Sequence, residues 1–151
     1  MGQHSRYGKQ LMKKIAGPAY TENKPSTEIH FGAGWPARID GTICESIAVE
    51  IESRVRKQIR GAVLDLICHE YPKKLLVILP VHAGNADIAV KQCRNALSRF
   101  VSKEDFRVVV TEGTGDHPML EKDAKKVGNV LRELGWGQGR QRFLCRNHIR
   151  R

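Results

Sequence analysis

The chain is expected to fold as an α/β layered domain, a mixed sheet with helices on both faces. Three observations carry that expectation. Residues 38–53 alternate like two short strands folded back across a turn. From Arg54 the apolar period changes from two to nearly four. Beyond it, Lys74–Val81 is a near-continuous apolar run, as in strands covered on both faces.

In order along the chain, Ser5–Ala16 reads as a basic helix stopped by Gly17-Pro18. Tyr20–Ser26 reads as a polar linker, Thr27–Phe31 as a strand, and Gly32–Pro36 as a loop. The hairpin 38–53 follows. Val55, Ile59, Ala62, Val63, Leu66 and Ile67 then make the apolar stripe of an amphipathic helix that ends at Tyr71-Pro72. After the Lys74–Val81 strand, Ala86–Val101 is helical, Phe106–Thr111 is a strand, and Pro118–Leu134 is a helix. The expected order is helix, three strands, helix, strand, helix, strand, helix. Layered sheet and helices of this kind are a standard way to bury apolar faces.

The sequence has 151 residues, which fits one domain spanning 1–151, with a basic tail from 135 to 151. Lys and Arg number 26 against 16 Asp and Glu, a formal charge of +10. That excess attracts polyanions, nucleic acid before anionic membrane. Cys44, Cys68, Cys93 and Cys145 form no CxxC pair, so neither metal-ligand spacing nor a dense disulfide framework is indicated. A reducing cytoplasmic setting is expected. No signal-peptide core is seen, no apolar run approaches the roughly 20 residues of a membrane span, and Gly2 lacks the downstream Ser or Thr of a myristoyl signal.

The hairpin carries the chemistry. With its turn centred on Glu45, Ile39 faces Ile51, Gly41 faces Val49, and Ile43 faces Ile47. On the other side Asp40 lies opposite Glu50, with Glu52 two residues further on. Like charges directly opposed destabilise a strand pair. Hard divalent cations take oxygen ligands of this kind and would relieve that repulsion. The plainer alternative is a half-exposed strand in which Arg38 pairs with Glu52 as a weak surface ion pair. It leaves the Asp40–Glu50 opposition without a partner.

Asp40, followed ten residues later by Glu50-Ile51-Glu52 on strands leading into a helix and a core strand, resembles the PD-(D/E)XK nuclease superfamily. The resemblance covers roughly residues 5–81 and implies a restriction-endonuclease-like core of helix, three strands, helix and strand, extended by a C-terminal helix, strand and helix. It implies Mg²⁺ at Asp40 and Glu50, with the Ile51 carbonyl as a further ligand and Mn²⁺ able to substitute. Ile39 stands where the motif has Pro, and Glu52 where Lys is usual. Glu52 is left open as a base, a second metal ligand, or a remnant in an inactive copy. The implied activity is hydrolysis of DNA phosphodiesters, restriction-like or of a repair or recombination type, on double-stranded DNA by a homodimer.

Further candidates lie around this core. Gln58, one turn into the helix, is a catalytic candidate. Arg54, Lys57 and Arg60 fall mostly off the apolar stripe and, with Arg38, are candidate phosphate contacts. Arg6 and Lys13 on the first helix, and Arg140 and Arg142 in the tail, complete that set. Trp35 is expected to cap the core, the alternative being contact with a nucleic-acid groove. Two rival functions remain. One is a nucleic-acid-binding protein without catalysis. The other is a phosphometabolite enzyme using Glu112-Gly113-Thr114-Gly115-Asp116, which leads toward a helix N-terminus but lacks the Lys of a P-loop.

Overall fold

The computed structural model describes residues 2–32, 34–54, 57–81 and 86–137. Its helices are α1 (Gln3–Ala16), α2 (Lys57–Cys68), α3 (Ala86–Leu97) and α4 (Leu120–Glu133). Its strands are β1 (Tyr20–Thr21), β2 (Glu28–Ile29), β3 (Ala37–Arg38), β4 (Gly41–Ile43), β5 (Ile47–Glu52), β6 (Lys73–Ile78) and β7 (Phe106–Val110). Five strands form one mixed sheet in the order β1-β4-β5-β6-β7. β1, β4 and β5 pair antiparallel, and β5, β6 and β7 pair parallel. The class is therefore α/β, as expected.

Two apolar layers sandwich this sheet. Odd positions of β5 and β6, among them Ile47, Val49, Leu75 and Val77, join Leu11 and Met12 of α1 and Val127 and Leu131 of α4. Even positions such as Ala48, Leu76 and Ile78 join Ile59, Leu66, Ala89 and Leu97 of α2 and α3. Leu75 to Leu79 have no exposed surface, the reason their run lacks polar alternation. α1 lies close on β5 because position 8 is glycine. A Cβ there would stand 2.3 Å from Cγ2 of Ile51. The helix ends where Gly17 turns to φ 54° and its N–H donates to the Lys13 carbonyl, ahead of Pro18.

The hairpin register is the expected one over its ladder: Gly41 faces Val49, Thr42 faces Ala48, and Ile43 faces Ile47. Cys44 and Glu45 close the turn at φ 52° and 49°, and the Ser46 N–H donates to the Ile43 carbonyl at 3.1 Å. Three expectations need correcting. Tyr20–Ser26 is not simply a linker, since Tyr20 and Thr21 form the sheet edge against Ile43 and Thr42. The strand expected at Thr27–Phe31 does not enter the main sheet; Glu28 and Ile29 pair with Arg38 and Ala37 in a separate two-stranded hairpin. That second hairpin also ends the β4 ladder at Gly41. Ile39 donates to the Thr27 carbonyl at 2.9 Å instead of facing Ile51. The sequence hides this because two-residue strands carry too little alternation to be read.

No helix among the described residues is long and apolar enough to cross a membrane. Cys68 and Cys93 are free thiols, whereas Cys44 is disulfide-bonded, which the cysteine spacing does not signal.

Candidate functional site

Lys73 donates to the Ser46 carbonyl and Leu79 to the Glu52 carbonyl, so the even residues of β5 bond to β6. The N–H and carbonyl of Ile51 therefore face the β4 side, where the ladder has already ended at Gly41. Asp40 fills the gap. Its Oδ2 accepts the Ile51 N–H at 2.7 Å, a side-chain substitute for the absent strand partner. The ring of Tyr20 lies on Gly41, where a Cβ would come within 2.3 Å of it, and the Tyr20 hydroxyl donates to the Asp40 carbonyl at 3.4 Å. The unexpected edge strand thus holds the backbone of the first acid.

Glu50 projects from the even face of β5 and is 7% exposed. Burial, then its hydrogen bond with the Asp40 side chain, then the charges of Asp40 and Asp65, push its carboxyl far above the usual carboxylate range. Burial and the neighbouring Asp40 thus favour the protonated form of Glu50, the form that can donate to the Asp40 side chain. Asp65, on α2, is also raised, by burial first and by Asp40 second. Gln58, Gly61, Ala62 and Asp65 recur at helical spacing and form one wall of a cleft of about 610 Å³. Asp40, Glu50, Ile51 and Glu52 form its floor, and Arg38 and Arg54 lie at its margin. The spacing of seven from Gln58 to Asp65 is the signal that would have added Asp65 to the candidates.

Glu52 shares the cleft but is otherwise occupied. Its Oε1 accepts the Ser53 N–H at 2.9 Å, the Arg54 N–H at 2.8 Å and the Arg54 Nε–H at 3.0 Å. The Arg38–Glu52 pair of the plainer alternative is absent from the ion pairs of the described residues, because Arg38 belongs to the other hairpin, opposite Glu28. Three carboxylates do not converge. Among the described residues no group of three His, Cys, Asp or Glu side chains is placed to hold a metal ion. Two carboxyl groups do meet, Asp40 and Glu50, with the Ile51 carbonyl directed to the same side. That donor chemistry fits Mg²⁺, which is commonly held by one or two carboxylates plus waters and substrate phosphate.

The other candidates scatter. Gln58 is exposed and in the cleft. Lys57 is exposed at the first residue of α2 but is not among the cleft's lining residues. Arg60 lines a groove between α2 and α3. Arg6 and Lys13 share a basic groove along α1 with Lys9, and Lys13 pairs with Glu22. Arg140 and Arg142, with most of the tail, lie outside the described residues. Trp35 does not cap the core; it is 96% exposed. His69 is structural, with Nε2 2.8 Å from the Ser26 carbonyl and Nδ1 accepting from Tyr71.

The glycine-rich turn at 112–116 is not an open anion site. The buried Asp123 carboxylate already accepts the Glu112 and Gly113 N–H groups, His4 Nδ1 accepts that of Gly115, and the His117 carbonyl accepts that of Thr114. The phosphometabolite reading loses its motif.

No family model matches this chain, and no curated protein or solved structure matches it either.

Proposed function

We propose that the protein is a metal-dependent deoxyribonuclease of the restriction-endonuclease-like kind, with Asp40 and Glu50 as its metal ligands. The observation that carries this reading is the Asp40–Glu50 carboxyl pair, forced together at the end of a strand ladder in a cleft flanked by arginines. The order α1, β1, β4, β5, α2, β6, with antiparallel β1, β4 and β5 and parallel β6, supports the core that the resemblance implies. Both acids also lie toward the carboxyl-terminal half of β5, the end at which open α/β sheets hold ligands.

A bound Mg²⁺, or Mn²⁺ in its place, would supply Lewis acidity toward a phosphodiester and lower the pKa of a water. The chain's own residues do the rest. Asp40 is held at both ends, its carboxylate by the Ile51 N–H and its backbone carbonyl by the Tyr20 hydroxyl, so its carboxylate is oriented before substrate arrives. Glu50 would hold the cation as a carboxylate, its proton passing to solvent. Glu52 acts as a positioning residue: it fixes Arg54, whose exposed guanidinium offers a cation at the cleft margin where the family's usual Lys is missing. Arg38 and Gln58 line the cleft and on this reading would contact the phosphate backbone and a water. DNA is the proposed partner because of the +10 charge, and a homodimer is proposed because cutting two strands with one cleft per chain favours a symmetric pair.

The test is plasmid DNA incubated with the protein and Mg²⁺ or Mn²⁺ beside an EDTA control, with Asp40→Asn in parallel. Nicking that disappears in EDTA and in the variant supports the proposal. The second reading, binding without catalysis, is favoured by the engagement of Glu52 with Arg54 and by the lack of a three-acid group among the described residues. Tight metal-independent binding with no nicking would select it.

A further inference from the structure

The least expected surface feature is the tip of the β2–β3 hairpin. Trp35 is 96% exposed and Phe31 is 52% exposed. The register pairs Ile29 with Ala37, and Phe31 and Trp35 each lie two residues beyond that pair, in the β2–β3 connection. Ile29 is buried in the α2–α3 core layer and Ala37 packs against it. Two residues outward from this anchored pair on each arm, the chain carries aromatic rings exposed to water. Gly32 and Gly34, at φ 92° and 78°, form the tip between them, and a Cβ at either would meet nothing within 4 Å. Nothing in the fold calls for a Trp there.

The surroundings indicate what it meets. Arg38, on the same hairpin, lines the cleft of the acid pair. Trp35 is three residues from Arg38 and five from Asp40. The chain's reach limits the second separation to about 18 Å between Cα atoms, roughly five steps of about 3.4 Å along a nucleic-acid strand. An exposed ring beside a cationic margin, on a protein of charge +10, suits a partner that offers both flat π-faces and phosphates.

We propose that Trp35, backed by Phe31, is a nucleobase-stacking element that holds a base within about five nucleotides of the phosphate at Asp40 and Glu50. This rests on the nuclease reading for the nature of its partner and adds to it a contact that reads an accessible base face. A ring that stacks on a base needs that base unstacked on at least one side, so strand ends, mismatches and single-stranded segments are bound more tightly than an intact duplex. Stacking depends on the ring's face and not on its substituents, so phenylalanine substitutes for tryptophan here and alanine does not.

The test uses the full chain in EDTA, where binding is read without cleavage. Oligonucleotides of 20 residues are titrated, as single strand, perfect duplex and duplex with a central mismatch, and both anisotropy and intrinsic Trp emission are followed. Trp35→Phe and Trp136→Phe assign the emission change to one of the two tryptophans. Quenching lost in Trp35→Phe and kept in Trp136→Phe is expected. Trp35→Ala should raise Kd for the single strand about ten-fold or more, with Trp35→Phe recovering most of it, since stacking supplies roughly 5- to 150-fold per base. An unchanged Trp35 emission at saturation, or wild-type affinity in Trp35→Ala, overturns the proposal. So does loss of self-association in Trp35→Ala with DNA affinity unchanged, which would assign the ring to a second copy of the chain. Trp35-dependent binding without metal-dependent nicking retires the nuclease and leaves this element standing. Nicking with Trp35-independent binding retires this element alone, and no nucleic-acid binding at all retires both.

Discussion

The proton on Glu50 makes stability a direct report on the site. Its carboxyl is raised by burial and by Asp40, so between the unfolded value near 4.5 and its much higher folded value the native state holds one proton more than the unfolded state. Stability then falls as pH rises, by at most about 1.4 kcal/mol per pH unit. From pH 6 to pH 8 that is up to about 2.7 kcal/mol, which for a domain of this size corresponds to roughly 5–10 °C in Tm. Glu50→Gln replaces the protonated carboxyl with a neutral group of the same shape and removes the slope. Other groups titrate nearby: His69 is lowered by burial, Lys74 is lowered to about 8 by burial, and Asp65 is raised. Because they remain in both proteins, the difference between wild type and variant isolates Glu50. Urea or thermal unfolding at pH 6, 7 and 8 in EDTA reads it, with the variant gaining on the wild type at each step. Parallel pH profiles for wild type and variant would show that Glu50 binds no extra proton in the fold and that the account of the acid pair is mistaken.

Three further outcomes follow from the same contacts. Asp40→Asn keeps an acceptor for the Ile51 N–H and should leave Tm nearly unchanged while abolishing nicking, whereas Asp40→Ala leaves that N–H unmatched and should lose about 1–3 kcal/mol by urea titration. Two helix glycines should respond oppositely: Gly8→Ala drives a methyl into Ile51 and destabilises by about 1–3 kcal/mol, while Gly61→Ala, with nothing within 4 Å, stabilises α2 by up to about 1 kcal/mol. Arg54→Ala should slow nicking about ten-fold or more at unchanged Tm, because an exposed ion pair adds little to stability. Glu52→Ala should lower both, since the backbone N–H groups of Ser53 and Arg54 lose their carboxylate acceptor. A normal nicking rate in Arg54→Ala would return Glu52 to a direct role in the chemistry.

Most of the fold was legible because its signals are local. The stripe of α2, the apolar run of β6 and the Gly17-Pro18 stop each lie within one element, and the Gly41–Ile47 register follows from a turn that a few residues define. What escaped depends on distant partners. β1 is a strand only because β4 offers it an edge, and β2 leaves the main sheet only because Arg38 and Ala37 turn back to meet it. The site divides along the same line. Asp40 and Glu50 fall one step beyond the Gly41–Val49 pair, so extending the register brings them near each other even though the ladder itself stops at Gly41. The fate of Glu52 could not be inferred from spacing, because two backbone N–H groups just beyond the strand compete for its oxygen and Arg54 closes over it. Asp65 reaches the site by the placement of a whole helix against a sheet, which no spacing within the hairpin encodes.

Charge arithmetic at the acid pair ties the two proposed ligands together. With the proton on Glu50, the pair carries about one net negative charge, and Asp65 adds to it from α2. A phosphate entering the cleft then meets a like charge, which Arg38 and Arg54 at the margin offset only from a distance. Replacing the proton with a divalent cation takes the pair from about −1 to about zero and removes the repulsion that an arriving phosphate would meet. DNA should therefore bind this cleft more tightly with the cation than without it, and by reciprocity the cation should bind more tightly, by the same factor, once DNA is present. Both affinities are measurable in Asp65→Asn, which keeps the shape of the wall and removes one charge. In that variant the cation's help to DNA binding shrinks, because part of the repulsion it relieves is already gone. Equal DNA affinity with and without the cation would place the phosphate outside the reach of Asp40 and Glu50, and the acid pair would then be an internal feature of the fold.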